Sequence, residues 1–475
     1  MPQNSAQQSP KVHMISLGCA RNRVDSEVML GSLLKTGWQI SQESEGSDAI
    51  IINTCGFIQS AKEESIDQIL SAAALKKDRP GLKVVVAGCL TQRYKSQLAK
   101  GLPEVDLFIG TDEFPRLPEL LAAELPSGSV FARRTHYLYN EAMPRVNTLA
   151  RHSAYVKVAE GCQHNCAFCI IPAIRGRLRS RPLTSVVSEV EQLARDGVKE
   201  INLIAQDLAA YGRERGEDSL LPLLRALAVI DGIEWIRCLY MYPENISEEF
   251  LELLATEPKL VKYLDVPVQH GSDRILAAMN RGVTRAGLSA AFAKLRERVP
   301  GIAIRTSVMV GFPGETEEDF QELKQFVRDQ KFDHLGCFSY SQEDGTVAGR
   351  MKDQIDEETK ARRLDEIMRL QKEISRANLL KYVGLEVEVL VEGPSDESDL
   401  LWQGRMSVQA PEVDGVVLIN DGAVRKGEIQ RVRISDAFEY DLVGEVVDGG
   451  TAASHPHSHP HQARGSELGE CPIQA

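Results

Sequence analysis

Ala159-Glu160-Gly161-Cys162-Gln163-His164-Asn165-Cys166-Ala167-Phe168-Cys169 is the stretch from which the rest of the chain can be read. Its three cysteines are spaced C-x3-C-x2-C. A β-like run, Tyr155 to Ala159, leads in, and Ile170-Ile171-Pro172 leads out. Three thiolates on one tight loop can hold three irons of a cubane cluster and leave the fourth iron without a protein ligand. An open metal position suits chemistry, whereas a fully ligated metal is usually structural. The plain alternative is a structural zinc site with His164 or a distant residue as fourth ligand. Zinc ligands usually come as two pairs, and this triplet stands alone.

Downstream, strand and helix patterns alternate from Ser153 to about Tyr340. Strands are expected at Tyr155–Ala159, Glu200–Ala205, Trp235–Tyr240, Tyr263–Val268, Ala303–Val310 and His334–Ser339. Helical spacing falls at Leu183–Asp196, Glu248–Ala255, Arg285–Arg298 and Glu317–Gln330. Six β-α units predict an open partial barrel with its active site at the carboxyl ends of the strands. The cysteine loop follows the first of these strands. Gly311-Phe312-Pro313-Gly314-Glu315 follows the fifth and would line the same mouth, with a plain turn as the alternative. Cys238 and Cys337 fall inside strands and read as core thiols.

Upstream, residues 11–125 show the same alternation: strands at Val12–Leu17, Ala49–Asn53, Lys83–Ala87 and Leu107–Ile109, with helices between them. This predicts a doubly wound parallel sheet. Cys19, Cys55 and Cys89 follow the first three strands. Ligands of open parallel sheets bind beyond the strand carboxyl ends, so these thiols should converge there. Gly18, Gly56 and Gly88 adjoin them, as in loops closing around a cluster. Buried core cysteines are the bland alternative. Residues 126–152, with Pro126, Gly128, Pro144 and the pair Arg133-Arg134, read as a linker.

Beyond the partial barrel, Lys352–Lys381 reads as a charged amphipathic connector helix, closing a domain over 153–382. Residues 383–448 change to short alternating strands and glycine turns, which predicts a small all-β barrel. Fifteen Asp or Glu stand against five Lys or Arg there. Such a barrel should repel phosphates and attract a basic protein surface. Residues 449–475 form a His-rich tail (His455, His457, His459, His461) that reads as disordered and also contains Cys471.

The 475 residues carry a net charge of −13, which disfavours a general nucleic-acid binder. No apolar run approaches the roughly 18 to 20 residues of a membrane span. The N-terminus lacks the apolar centre of a signal peptide, so a cytoplasmic protein is expected. Nine cysteines in a reducing compartment point to metal ligands and buried thiols.

Taken together, the motifs resemble a known family. C-x3-C-x2-C with Phe168 before the last cysteine is similar to the radical S-adenosylmethionine (SAM) enzymes. The order of a three-cysteine domain, a radical domain and a TRAM-like β-barrel resembles the methylthiotransferases over residues 11–448. Local motifs resemble the RimO branch: Ser16-Leu17-Gly18-Cys19, Val24-Asp25-Ser26-Glu27, Asn53-Thr54-Cys55-Gly56-Phe57-Ile58, Ala87-Gly88-Cys89, Ile174-Arg175-Gly176 and Pro267-Val268-Gln269-His270-Gly271-Ser272-Asp273. The branch that modifies transfer RNA tends to carry serine where this chain has His270. Two departures occur: Leu208 replaces a usual hydroxyl residue, and Val347 a usual proline.

The resemblance implies that Cys162, Cys166 and Cys169 hold one 4Fe-4S cluster, at which SAM is cleaved to a 5′-deoxyadenosyl radical. It implies that Cys19, Cys55 and Cys89 hold a second, auxiliary 4Fe-4S cluster carrying the sulfur that a second SAM methylates. The implied substrate is the β-carbon of an aspartate in small-subunit ribosomal protein S-twelve, a basic protein. A one-electron reductant such as flavodoxin or ferredoxin is implied as well. Gln206, Gly311 and Gly314 are candidates for the SAM pocket, and Asp207, Gln269 and His270 for the mouth. The rival readings are methylthiolation of adenosine in transfer RNA and a non-catalytic iron–sulfur carrier.

Overall fold

Ala49–Ile52 and Val84–Ala87 are completely buried, which is why these runs show no polar alternation. Parallel strands covered on both faces read as continuous apolar stretches. In the computed structural model, which describes residues 9–133, 136–216 and 220–447, they belong to a six-stranded parallel sheet. Its strands are β1 (Lys11–Ser16), β2 (Gln39–Ser41), β3 (Ala49–Thr54), β4 (Lys83–Gly88), β5 (Leu107–Ile109) and β6 (Ser129–Phe131), ordered β2-β1-β3-β4-β5-β6. Helices Ala20–Lys35, Gln59–Ala74 and Cys89–Gly101 connect them, and an apolar core lies on each face.

The segment read as a linker is corrected by the structure. Ser129–Phe131 joins the sheet as edge strand β6. Tyr139 and Arg145 strap two domains together. Arg145 Nε donates to Glu27 Oε2 at 2.8 Å, and Arg145 Nη1 to Glu189 Oε1 at 2.6 Å. Tyr139 Oη also donates to Glu189, at 2.8 Å. A three-residue strand leaves no readable periodicity, and partners more than 40 residues away leave no local signal.

The second sheet contains β7 (Ser153–Lys157), β10 (Glu200–Ile204), β11 (Trp235–Cys238), β12 (Leu260–Asp265), β13 (Ala303–Val310) and β14 (His334–Ser339), all parallel, with β7 and β14 as its edges. A separate pair, β8 (Ala159–Glu160) and β9 (Arg179–Ser180), flanks the cysteine loop. Because side chains alternate along a strand, Ile201, Leu203, Ile236, Cys238, Ile304 and Val308 join the core under the helices. Cys238 and Cys337 are both 2% exposed in that core. The opposite face carries Glu200, Asn202, Arg237, Tyr263 and Arg305.

That polar face meets a closed five-stranded barrel, β15 (Glu386–Ser395), β16 (Ser398–Met406), β17 (Val417–Asp421), β18 (Ile429–Ala437) and β19 (Leu442–Val446). Glu200 accepts from Arg237 at 2.9 Å and from Arg405 at 2.6 Å. Asp414 accepts from Arg305 at 2.6 Å and from Tyr263 Oη at 2.7 Å. Part of the barrel's acidity is therefore spent on docking. Glu388, Asp396, Glu397, Asp421 and Asp436 remain exposed, without an ion pair among the described residues. The helix Glu357–Leu379 packs on the partial barrel through Ile367, which is fully buried. Among the described residues no helix is long and apolar enough to cross a membrane. Arg134, the His-rich tract and Cys471 lie outside the described residues.

Candidate active site

Strands β1, β3 and β4 are neighbours in the first sheet, and each delivers one cysteine at its carboxyl end. Cys19 precedes the helix Ala20–Lys35, Cys55 follows β3, and Cys89 opens the helix Cys89–Gly101. The loops close tightly. A Cβ on Gly18 would lie 2.9 Å from Cys55 Cβ, and one on Gly56 would lie 2.9 Å from Leu90 Cα. The thiols act on one another: burial raises Cys55 to about 12, and Cys89 and Cys19 add to the rise. Cys89 is raised chiefly by burial. Cys19 differs. Burial opposes its thiolate, but Arg21, the Asn22 N–H and Arg175 bring its pKa below the ordinary thiol value.

The second triplet lies on the loop after β8. The N–H of His164 donates to Cys162 Sγ at 3.4 Å, and the N–H of Ile171 donates to Cys169 Sγ at 3.4 Å. Cys55 receives the N–H of Phe57 in the same two-residue pattern. Burial raises Cys162, and raises Cys169 to about 12. The loop is gripped from below. Ala167 N–H donates to Met279 O at 2.9 Å, Asn280 donates to Asn165 O at 2.8 Å, and Ala167 packs with Phe312 and Ile275. His164, a candidate zinc ligand, is engaged elsewhere. It stacks on Tyr242 at 3.8 Å, and its Nε2 lies 2.7 Å from Asp207 Oδ2. Arg281 covers the Tyr242 ring at 4.1 Å and reaches Cys166 Sγ at 3.6 Å.

The two triplets share one interface. Cys89 packs against Ile170 and Ile174, immediately past Cys169. Arg21 helps bring Cys19 below the ordinary thiol value and opposes, weakly, the rise that burial imposes on Cys162 and Cys169. Its guanidinium donates to Ala205 O at 2.8 Å and lies 4.5 Å from the Tyr240 ring centre. Beside it runs a buried chain of charge. Lys157 Nζ donates to Asp25 at 2.5 Å and to Glu160 at 2.9 Å, and Arg175 Nη1 donates to Asp25 at 2.7 Å. Burial alone would raise Glu160, but Lys157 and Arg175 hold its carboxyl well below the usual range.

Among the described residues no three His, Cys, Asp or Glu side chains converge closely enough to hold one metal ion. A mononuclear zinc needs every sulfur within about 2.3 Å of one centre. A cubane gives each thiolate its own iron and asks for a wider triplet. Clustered thiols that feel one another, backbone N–H groups aimed at sulfur, and the buried cations Arg21 and Arg175 fit an anionic iron–sulfur cluster at each triplet.

The remaining candidates divide. Gln206 Nε2 donates to Glu160 at 2.7 Å, and its buried Oε1 has no hydrogen-bond partner among the described residues. That atom is free to meet a ligand. Gly311 has a different reason for being glycine: at φ +74°, a Cβ would lie 2.3 Å from Lys360 Cγ. Its N–H donates to Glu315 at 2.7 Å. Gly314 donates to Asp353 O at 2.7 Å. The turn thus tucks under the connector helix and supports the cysteine loop through Phe312. Gln269 sits at φ +74° beyond the carboxyl end of β12, its N–H donating to Ser307 O at 2.9 Å, and His270 is fully buried with Nδ1 accepting the Ser272 N–H at 3.0 Å. His270 therefore does not open onto the mouth. The sequence motifs give no role to Arg21, Asn22, Lys157 or Arg175; the signal they carry is that Asp25 lies in Val24-Asp25-Ser26-Glu27 and Arg175 in Ile174-Arg175-Gly176.

Residues 11–110 match the family described as Uncharacterized protein family UPF0004, residues 156–327 the Radical SAM superfamily, and residues 383–447 the TRAM domain. Ribosomal protein uS12 methylthiotransferase RimO of Bdellovibrio bacteriovorus is 48% identical over 94% of this chain and 99% of that protein. The protein of the same name from Myxococcus xanthus is 47% identical over 98% of this chain and 97% of its own. A solved radical SAM methyltransferase, TsrM from Kitasatospora setae, shares the fold at a TM-score of 0.51 and 17% identity, covering 72% of this chain and 77% of that one.

Proposed function

On the premise that this chain belongs to the RimO family of radical SAM methylthiotransferases, we propose that it methylthiolates the β-carbon of an aspartate in ribosomal protein uS12. In this reading Cys162, Cys166 and Cys169 hold one 4Fe-4S cluster, and Cys19, Cys55 and Cys89 hold the other. When bound, the two clusters and SAM supply electron transfer, hydrogen abstraction and the methylthio group.

The protein's part is positioning and exclusion of water. The observation that carries the reading is the shared interface: Cys89 lies against Ile170 and Ile174, and Arg175, on the same helix, reaches Cys89 Sγ at 3.1 Å. A substrate carbon held there is within reach of both chemistries at once, which a simple iron–sulfur carrier does not need. Arg21 and Arg175 bring positive charge to sites that become anionic when loaded. Gln206 Oε1 is available to accept from the SAM ammonium group, while its amide holds Glu160 in place. The loop stack His164–Tyr242–Arg281 fixes the orientation of the cysteines before anything binds.

Five exposed carboxylates on the C-terminal barrel that have no ion pair among the described residues favour a basic polypeptide over a nucleic acid as partner, because phosphates would be repelled. The reaction takes place in the cytoplasm, where ribosomes assemble, and draws electrons from a flavodoxin- or ferredoxin-like donor. The test is mass analysis of uS12 peptides from cells lacking this gene. Loss of the methylthio group from the aspartate peptide is the expected result. An unchanged peptide, with loss of methylthiolated adenosine from transfer RNA, would overturn the assignment.

A further inference from the structure

Arg175 is 3% exposed, and its whole donor fork is committed. Nη1 donates to Asp25 at 2.7 Å, with Glu160 at 3.4 Å. Nη2 donates to Asn22 Oδ1 at 2.6 Å. The remaining two contacts both end on one sulfur: Nε lies 3.3 Å and Nη2 3.1 Å from Cys89 Sγ. A neutral thiol is a weak acceptor. Two donors of a desolvated guanidinium turned onto such a group are well spent only if the sulfur is a thiolate. The partners also belong to different domains. Arg175 ends the helix Ile171–Arg175, six residues past Cys169, whereas Asn22, Asp25 and Cys89 belong to the N-terminal domain.

We infer that Arg175 is a positioning residue of the N-terminal sulfur site: it reaches from the radical domain to hold the Cys89 thiolate by two N–H···S bonds, setting both the seat of the auxiliary cluster and its reduction potential. The inference rests on Cys19, Cys55 and Cys89 being cluster ligands. Hydrogen bonds and positive charge at a ligand sulfur stabilise the more negative, reduced cluster and raise its potential. Asp25 and Asn22 aim the fork, and Lys157 shares Asp25, so the carboxylate is held from two sides. A buried strut that merely joined domains would need Asp25 and Glu160 but would have no use for the two contacts to sulfur.

The test uses the full chain carrying Cys162→Ala, Cys166→Ala and Cys169→Ala, so that one cluster remains after anaerobic reconstitution with iron and sulfide. Arg175→Lys and Arg175→Gln are then compared with this parent by iron content, EPR spectrum and midpoint potential. The expected result is a potential shifted to more negative values in Arg175→Gln and less so in Arg175→Lys, which keeps charge but loses the fork. Altered EPR g-values at undiminished iron should accompany the shift. Unchanged potentials and spectra at equal iron content would overturn the inference. A measurement that needs no change at Arg175 guards against misfolding: with nitrogen-15 arginine in the parent, pulsed EPR of the reduced cluster should detect a weakly coupled nitrogen, and its absence overturns the proposal. A parent that binds no iron overturns the ligand assignment itself, and the inference with it.

Discussion

Arg405 Nη2 lies 2.6 Å from Glu200 Oε2, and the two side chains are 1% and 0% exposed. Glu200 also accepts from Arg237, whose side chain is 0% exposed, so one carboxylate serves two buried cations. Together with the pair of Arg305 and Asp414, it ties the partial barrel to the C-terminal barrel. Breaking a buried pair from one side leaves an uncompensated charge, at a cost of about 3–5 kcal/mol. Glu200→Gln should therefore lower the thermal midpoint and speed tryptic release of the C-terminal barrel. Adding Arg237→Met should recover part of the loss, because Arg237 is then left without a carboxylate, whereas Arg405 keeps Glu392 at 2.6 Å.

The two cysteine triplets should separate in a pair of variants. Cys166→Ala should abolish reductive SAM cleavage while the auxiliary iron stays bound. Cys55→Ala should leave 5′-deoxyadenosine formation measurable and stop sulfur insertion. Each variant should keep about half of the wild-type iron, since each triplet serves its own cluster. Normal methylthiolation by Cys55→Ala would show that the N-terminal triplet is not the sulfur site.

His152 predicts an acid-sensitive domain junction. Burial, reinforced by Arg405, lowers its pKa from 6.5 to about 4, against a smaller opposing pull from Glu200, and Lys426 and Lys199 add to the depression. Between these values the unfolded chain binds more protons than the folded one, so stability rises with pH across the window. The contribution is complete above pH 6.5 and is lost as pH falls towards 4. It amounts to at most about 3 kcal/mol. Thermal midpoints measured at intervals across this window should fall with acid in the wild type, and His152→Phe should flatten the slope.

Gly311 and Gly314 form an internal comparison. Both have positive φ, +74° and +79°, but a Cβ on Gly311 would strike Lys360 at 2.3 Å, whereas one on Gly314 would meet nothing within 4 Å. Gly314→Ala should cost about 1–2 kcal/mol from backbone strain alone. Gly311→Ala should cost more and should loosen the connector helix, read as a larger drop in denaturant midpoint.

Much of the architecture is legible in the sequence alone. The strands Ala303–Val310 and His334–Ser339 and the helices Arg285–Arg298 and Glu317–Gln330 have the limits expected from their patterns. These patterns are local, so a run of contiguous residues suffices to read them. The placement of Cys19, Cys55 and Cys89 was equally readable, because each follows a strand and strand order decides where the chain emerges. The segment 126–152 was not readable, because its order comes from Glu27 and Glu189 rather than from its own residues.

By itself, then, the sequence determined two cysteine triplets, the three-part order of domains, and the resemblance from which the chemistry follows. Each of these is written in contiguous motifs or in periodicity. Only the tertiary structure decided that Arg175 serves Cys89, 86 residues away, and that Arg405 serves Glu200, 205 residues away. It also decided that part of the barrel's acidity is internal. Buried ion pairs join groups with no sequence relation, and a charged residue bound for a partner reads the same in the chain as one bound for solvent. The difference lies in desolvation, which exists only once the domains have closed on one another.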